Sequence, residues 1–424
     1  MVGLTVFCAV FVVVACLFLR IKDPAPIFGV YTQKGKWYPV KYVLFLMMYC
    51  YRRWVNQNKE EESQSKGSTG QGVKSHSKPE EMDVAQRLSD HAKAFDAAFF
   101  IGANEEGFYV VAGCERRPMG VIAGVFYIIV PGKGVLCGAK IPDTMLFGAH
   151  VDEFGAEGLM LTPVEPMKRW NISYNGKMWY QSDPTKIIEV SFEAEWTATS
   201  KYFDYDTDLD ARCITRAIAR EPWSKKYFKD LEVAHQSHYE QFGNMKAKFN
   251  IENESFEVSL DSFRDHSYGN KRDWELMHRY AFHHIFLEDK TKISIGVVCQ
   301  PCTGSALELG FLWTSEHGGQ NIPVEWCDLE LYKHGENGTA PTDYAFRFKA
   351  GQDEYTVQVD VVHQSVHYVS PHWDARMVER FAKFTVNGVQ GWGVTEFHYN
   401  NKGGRPESRT KGDPDWYHSL RKDS

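Results

Sequence analysis

The chain has 424 residues, enough for two or three domains, and its mild net charge of −7 excludes the broad basic field of a nucleic-acid binder. Aromatic residues make up 14% and charged residues 24%, which is the composition of a folded, aromatic-rich protein and not of a disordered one. The nine cysteines are scattered and odd in number, which excludes a dense disulfide framework and reads as thiols in a reducing compartment.

Residues Val2 to Leu19 form an unbroken apolar run, about the length that crosses a hydrocarbon layer, and predict an N-terminal transmembrane helix. No Lys or Arg precedes the run, so it reads as an uncleaved anchor. Arg20, Lys22, Lys34, Lys36, Lys41, Arg52 and Arg53 follow it, which places the body on the cytosolic side of a single-pass protein. The apolar stretch Tyr38 to Tyr51 is short for a span. With Trp37, Tyr38 and Trp54 at its flanks it reads as an interfacial segment over 38–51, and the bilayer is the expected partner of residues 1–55. A spanning reading of this stretch would move the body across the membrane and open Asn171, Asn253 and Asn337 to glycosylation.

Residues 56–80 are rich in Glu, Ser, Gly and Lys and read as a disordered linker. The body is read as a first β-barrel domain over 81–230 and a second over 231–400, with a loose tail at 401–424. Asp83 to Ala98 carries an amphipathic helical pattern. Short β-rich runs follow at Phe108–Ala112 and Gly124–Val130. Trp170 to Tyr180 reads as a hairpin turning at Asn175-Gly176. Ile187 to Trp196 alternates with period two, the mark of a strand with one dry face. The acidic run Asp204 to Asp210 lacks the glycine and late glutamate of a calcium loop and reads as a solvated loop. Pro222 to Phe228 reads as a connector. Strand patterns recur from Lys246 to Val386 at the spacing of a sandwich or barrel. The fold class is therefore all-β: two antiparallel barrels or sandwiches packed together.

Three polar segments interrupt the strand patterns: His235 to Gln241, Arg264 to Trp274, and Gly388 to Phe397. The His235/His238 pair lacks a third ligand, and Cys299/Cys302 lacks the second pair of a zinc ribbon. His283 and His284 lie on a strand pattern and should face opposite ways. Neither a metal nor a cofactor is expected, and no phosphate-binding glycine loop is present. His238, Glu240, Asp265, His266 and Tyr268 are candidate proton carriers, since a carboxylate in an aromatic cavity is held protonated by desolvation. The alternative is structural: Arg264–Asp265 and Arg272–Asp273 would be salt bridges fixing a strand turn.

The motifs His238-Tyr239-Glu240-Gln241, Arg264-Asp265-His266-Ser267-Tyr268-Gly269 with Arg272-Asp273-Trp274, and Gly391-Trp392-Gly393 ending in Glu396 resemble a family. It is the two-domain calycin-like group related to hydroxyneurosporene synthase (carotenoid 1,2-hydratase), AttH and the Diels–Alderases. The resemblance covers about Phe95 to Tyr399. It runs nearest a branch sometimes fused to phosphoenolpyruvate-synthase-like modules. Where the family more often has Trp, this chain has Tyr268. The resemblance implies two lipocalin-like barrels with a pocket for a hydrophobic, terpenoid-like molecule. It implies Asp265 and His238 as proton donors or orienters, beside Glu240 and His266. It also implies Tyr239, Tyr268, Trp274 and Trp392 as ligand wall, and Arg264 as the group holding Asp265. The implied chemistry is that of a hydratase, isomerase or cyclase working by acid catalysis. A non-catalytic lipid carrier, a membrane scaffold, or a module acting in trans with a phosphotransferase are the alternatives, and a shared fold does not choose among them.

Overall fold

A computed structural model describes residues 17–57 and 78–407. The expected span at Val2–Leu19 and the linker lie almost wholly outside the described residues. Among those described, no helix is long and apolar enough to cross a membrane.

The body is mostly β, and all its strand ladders are antiparallel. Its first part contains β1 (Phe95–Ala103), β2 (Tyr109–Arg117), β3 (Val121–Val130), β4 (Gly134–Gly138), β5 (Met145–Phe147), β6 (Phe154–Ala156), β7 (Leu159–Glu165), β8 (Arg169–Tyr180), β9 (Asp183–Ala198), β10 (Phe203–Asp204), β11 (Ser237–Ile251) and β12 (Glu254–Gly269). The pairings run β12–β1–β2–β3–β4–β8–β9–β11 and return to β12, so eight of these strands close a ring. The second part is a closed barrel of β13 (Arg279–Leu287), β14 (Lys292–Gln300), β15 (Gly304–Trp313), β16 (Asn321–Cys327), β17 (Asp343–Ala350), β18 (Asp353–Val369), β19 (Ala375–Val386) and β20 (Val389–Asn400).

Each barrel has its own apolar interior, built around Phe100, Trp170 and Trp196 in the first and Ile285, Phe348 and Phe384 in the second. A third core joins them. The outer-facing residues Ile101, Tyr127 and Phe263 of the first barrel pack against Phe286, Phe311, Phe381 and Trp392 of the second. Side chains alternate across a strand, so each of these strands serves one barrel interior and the seam between barrels at once.

Several local expectations are corrected. β11 and β12, expected in the second barrel, complete the first ring, so Arg264 to Gly269 lies within a strand of the first barrel and not at a turn. Asp83–Ala98 is not a helix; a helical turn occupies Pro79–Met82, and Phe95 onward pairs with β12. Asn175-Gly176 is not a turn, because both residues pair with Ser191 and Val190 inside the long β8–β9 ladder.

Among the described residues, three helices longer than two turns flank the barrels: α1 (Tyr38–Gln57), α2 (Ala211–Arg220) and α3 (Lys225–Val233). Asp210 caps α2 by accepting from the Arg212 N–H at 2.8 Å, and Ser224 caps α3 by accepting from Tyr227 at 3.0 Å. The supposed connector at 222–228 therefore contains a cap and the first turn of α3. The acidic loop before α2 is not solvated either. Asp204 and Asp206 are buried, and Asp206 Oδ1 lies 2.8 Å from His235 Nε2.

Candidate active site between the barrels

A chamber of about 820 Å³ opens along the seam between the barrels. Its walls are mainly apolar: Phe99, Ala123 and Val125 from the first barrel, and Phe282, Val298, Leu309 and Met377 from the second. α2 and α3 close one side, and the exposed Lys226 and Lys229 stand at the rim. Large apolar clefts with a few converging polar groups are the usual form of a small-molecule site.

The polar groups converge from β11 and β12. In register, His238 lies opposite Ser267, Tyr239 opposite His266, Glu240 opposite Asp265, and Gln241 opposite Arg264. Strand alternation then sorts the two motifs. His238, Glu240, Asp265 and Ser267 face the chamber, while Tyr239, Arg264, His266 and Tyr268 turn into the first barrel.

Glu240 is held by several donors. Tyr205 Oη donates to Oε1 at 2.6 Å, Ser294 Oγ donates to Oε2 at 2.6 Å, and His238 Nε2 lies 3.4 Å from Oε1. Burial alone would raise its pKa, but His238, His284 and the Ser294 hydrogen bond bring it below the usual carboxylate value. The His238 ring stacks on Tyr205 at 4.4 Å, and His284 stacks on Phe263 at 3.8 Å. Burial lowers the His284 pKa to about 4, so that ring is neutral beside Glu240.

Asp265 is the contrast. Its carboxylate has no hydrogen-bonding partner among the described residues and projects into the chamber. Burial raises its pKa to about 6, with Glu240 and Glu396 adding to the rise and His238 and Arg272 opposing it. Arg264, expected to hold Asp265, does not. Neighbouring residues on a strand point to opposite faces, and Arg264 instead grips Asp83 bidentately at 2.6 and 3.1 Å. Arg272 likewise bonds Glu115 at 3.0 Å and Ser267 at 2.8 Å, while Asp273 pairs with Lys93 at 2.7 Å.

The far wall adds groups that sequence reasoning missed. Glu396 lines the chamber and accepts from Tyr280 Oη. Directly across the β19–β20 ladder from it stands Glu379, fully buried. Burial and the neighbouring Glu396 carboxylate hold the Glu379 pKa well above the ordinary value, which keeps Glu379 neutral. Glu396 closed a motif already singled out, and His284 was one of a histidine pair read on a strand; Glu379, Tyr280 and Tyr205 belong to plain strand or loop patterns with no local signal.

The remaining candidates have other places. His266, fully buried, stands between Asp96, whose Oδ1 is 2.6 Å from Nε2, and Tyr239, whose Oη is 2.7 Å from Nδ1. Burial would lower its pKa, but Asp96 and Asp83 raise it overall. Tyr239 also donates to Asp83 at 2.8 Å, and Tyr268 meets His266 edge-on. These residues tie the strand to the segment 83–86 and do not line the chamber. Trp274 does line it, with its ring also under the Arg272 guanidinium at 5.5 Å. Trp392 packs in the core between the barrels and is not part of the chamber wall. His283 points into the second barrel, 2.7 Å from Tyr344 Oη, and His284 points outward to the seam. Among the described residues no three His, Cys, Asp or Glu side chains are grouped to hold a metal, and Cys299 and Cys302 are free thiols.

Residues 6–399 match the model of a family described as Family of unknown function (DUF8627). No curated protein matches the sequence. Among solved structures, an AttH protein from Nitrosomonas europaea is similar with a TM-score of 0.48 and 10% identity, over 73% of this chain and 93% of that one. CghA in complex with Sch210972 gives 0.46 and 11%, over 76% and 98%. Kievitone hydratase from Nectria haematococca gives 0.43 and 12%, over 78% and 96%.

Proposed function

The chain belongs to the family of unknown function DUF8627, and on that premise we propose that it is an acid catalyst acting on an apolar small molecule held between its two barrels. The observation that carries this reading is Asp265: a carboxyl group with no hydrogen-bonding partner among the described residues, facing a mainly apolar chamber, with its pKa raised to about 6. A carboxylate placed to stabilise a fold is normally paired; one left open and held near neutrality is poised to give a proton.

The step that suits these groups is protonation of an alkene or polyene. The Asp265 O–H proton passes to one alkene carbon, and the π-electron pair forms the new C–H bond. The cation left on the other carbon is stabilised by aromatic faces such as Phe99, Phe282 and Trp274. In a hydration, water adds to that cation, and the proton it releases returns to the Asp265 carboxylate. In an isomerisation or cyclisation, a C–H proton is lost instead, and the same carboxylate accepts it. Glu240 stays ionised and keeps His238 oriented beside the reacting carboxyl.

The test is extraction and mass spectrometry of compounds that copurify with the protein, compared between the wild type and Asp265→Asn. Conversion by the wild type alone supports catalysis. An identical compound in both makes the protein a carrier and ends the enzyme reading. An empty chamber in both, with no apolar probe bound, ends the binding reading as well.

A further inference from the structure

α1 divides its faces unusually. Phe45 and Tyr49 are buried against Ile218 and Tyr227, and Lys41 Nζ donates inward to the Glu221 carbonyl at 2.6 Å. The opposite face is apolar too. Val40, Val43, Leu44, Met47, Met48, Tyr51 and Trp54 recur at helical spacing and are 42–66% exposed. A water-facing helix surface would carry polar residues there.

The chain just before α1 extends the same apolar surface. Leu17, Leu19 and Ile21 are exposed, and Lys36 Nζ ties their backbone to the start of α1 by donating to the Leu19 and Ile21 carbonyls at 2.9 and 3.0 Å. Phe18 packs edge-on against Trp37 at 5.1 Å. Between residues 17 and 57 the chain holds Arg20, Lys22, Lys34, Lys36, Lys41, Arg52 and Arg53 against Asp23 alone, in a protein whose net charge is −7. Arg20, Lys22, Lys34 and Arg52 are exposed. An apolar helical face bordered by bases matches one occupant, the headgroup layer of an anionic bilayer.

We propose that α1 lies in the plane of an anionic membrane surface, its Val40–Trp54 face sunk among the lipids and Arg20, Lys22, Lys34 and Arg52 at the phosphates. This reading stands independently of any role for Asp265. It also gives the chamber a source of apolar ligand. The residues beneath α1 belong to α2 and α3, and Ile214, Ile218 and Leu231 of that layer line the chamber. One layer of two helices thus separates the membrane-lying helix from the cavity.

The test uses the full chain with a nitroxide on the exposed Cys50 of α1, after Cys8, Cys16 and Cys302 are changed to alanine. The protein is mixed with phosphatidylcholine vesicles with and without phosphatidylserine. On phosphatidylserine vesicles the label is expected to lose access to a water-soluble nickel chelate and gain access to oxygen. High salt reverses the shift, because screening weakens the contact with the phosphates. Leu44→Glu with Met47→Glu keeps the nickel access while circular dichroism and the melting temperature stay those of the parent, since both side chains are exposed. A label that remains open to the chelate on vesicle-bound protein overturns the proposal, because binding then runs through another segment. A face closed to both reagents in a lipid-free dimer overturns it in favour of a second copy.

Discussion

Glu240 and Asp265 stand opposite each other on β11 and β12, and the Tyr205 and Ser294 hydroxyls both donate to Glu240, while among the described residues none donates to Asp265. Two neighbouring carboxyls thereby acquire opposite behaviour: one stays ionised, the other holds its proton to about pH 6. Such divergence marks acid and base assignments where a reaction is run near neutrality.

The rate of the proposed reaction should depend on protonated Asp265. It is expected to fall as pH rises through about 6, and Asp265→Asn should lower it by roughly 10²–10⁴-fold, the usual share of a general acid. Turnover of the copurified compound across pH 5–8 checks this. A flat profile in the wild type would remove Asp265 as the acid.

Stability should carry the same signature with a definite sign. The folded-state pKa of Asp265 is raised, so between its unfolded value and about 6 the folded chain binds more protons, and stability declines as pH rises through that window. At pH 8 the ionised group is a cost that Asp265→Asn removes. The variant should therefore be more stable than the wild type at pH 8, by on the order of 2–3 kcal/mol at most, and show little gain at pH 4. Urea titrations at the two pH values measure it, and a loss of stability at pH 8 contradicts the assignment.

Arg264 should behave as a structural residue. It is buried, bonded twice to Asp83, and its guanidinium lies 4.9 Å from the Trp196 ring. Arg264→Met leaves Asp83 buried without its cation and is expected to cost about 3–5 kcal/mol. The protein that remains folded should keep the pH dependence of turnover, since Arg264 does not reach the chamber. Denaturation curves read beside rate profiles separate the two effects.

Glu379 should be a neutral acid at pH 7. Infrared spectra are expected to show a protonated carboxyl stretch in the wild type that disappears in Glu379→Gln, with stability changed by less than about 1 kcal/mol, because the amide is nearly isosteric with the neutral acid. Persistence of that band in the variant would assign the protonated carboxyl to another residue.

Period-two patterning and turn signals were enough to give the all-β class and most of the second barrel's strands, because alternation along a strand is a local property. The motifs around His238 and Asp265 were also visible, as clusters of reactive side chains. Long-range pairing decided the rest. Arg264 finds Asp83, a residue 181 positions away, and not its neighbour Asp265. β11 and β12 close the first ring although α2 and α3 separate them from its other strands in the chain. Alternation could divide Arg264-Asp265-His266 into two faces, but only the packing of two barrels showed which face is a sealed interior and which borders a chamber. Burial and the neighbouring charges then fix the pKa of Asp265, and neither exists until the seam forms.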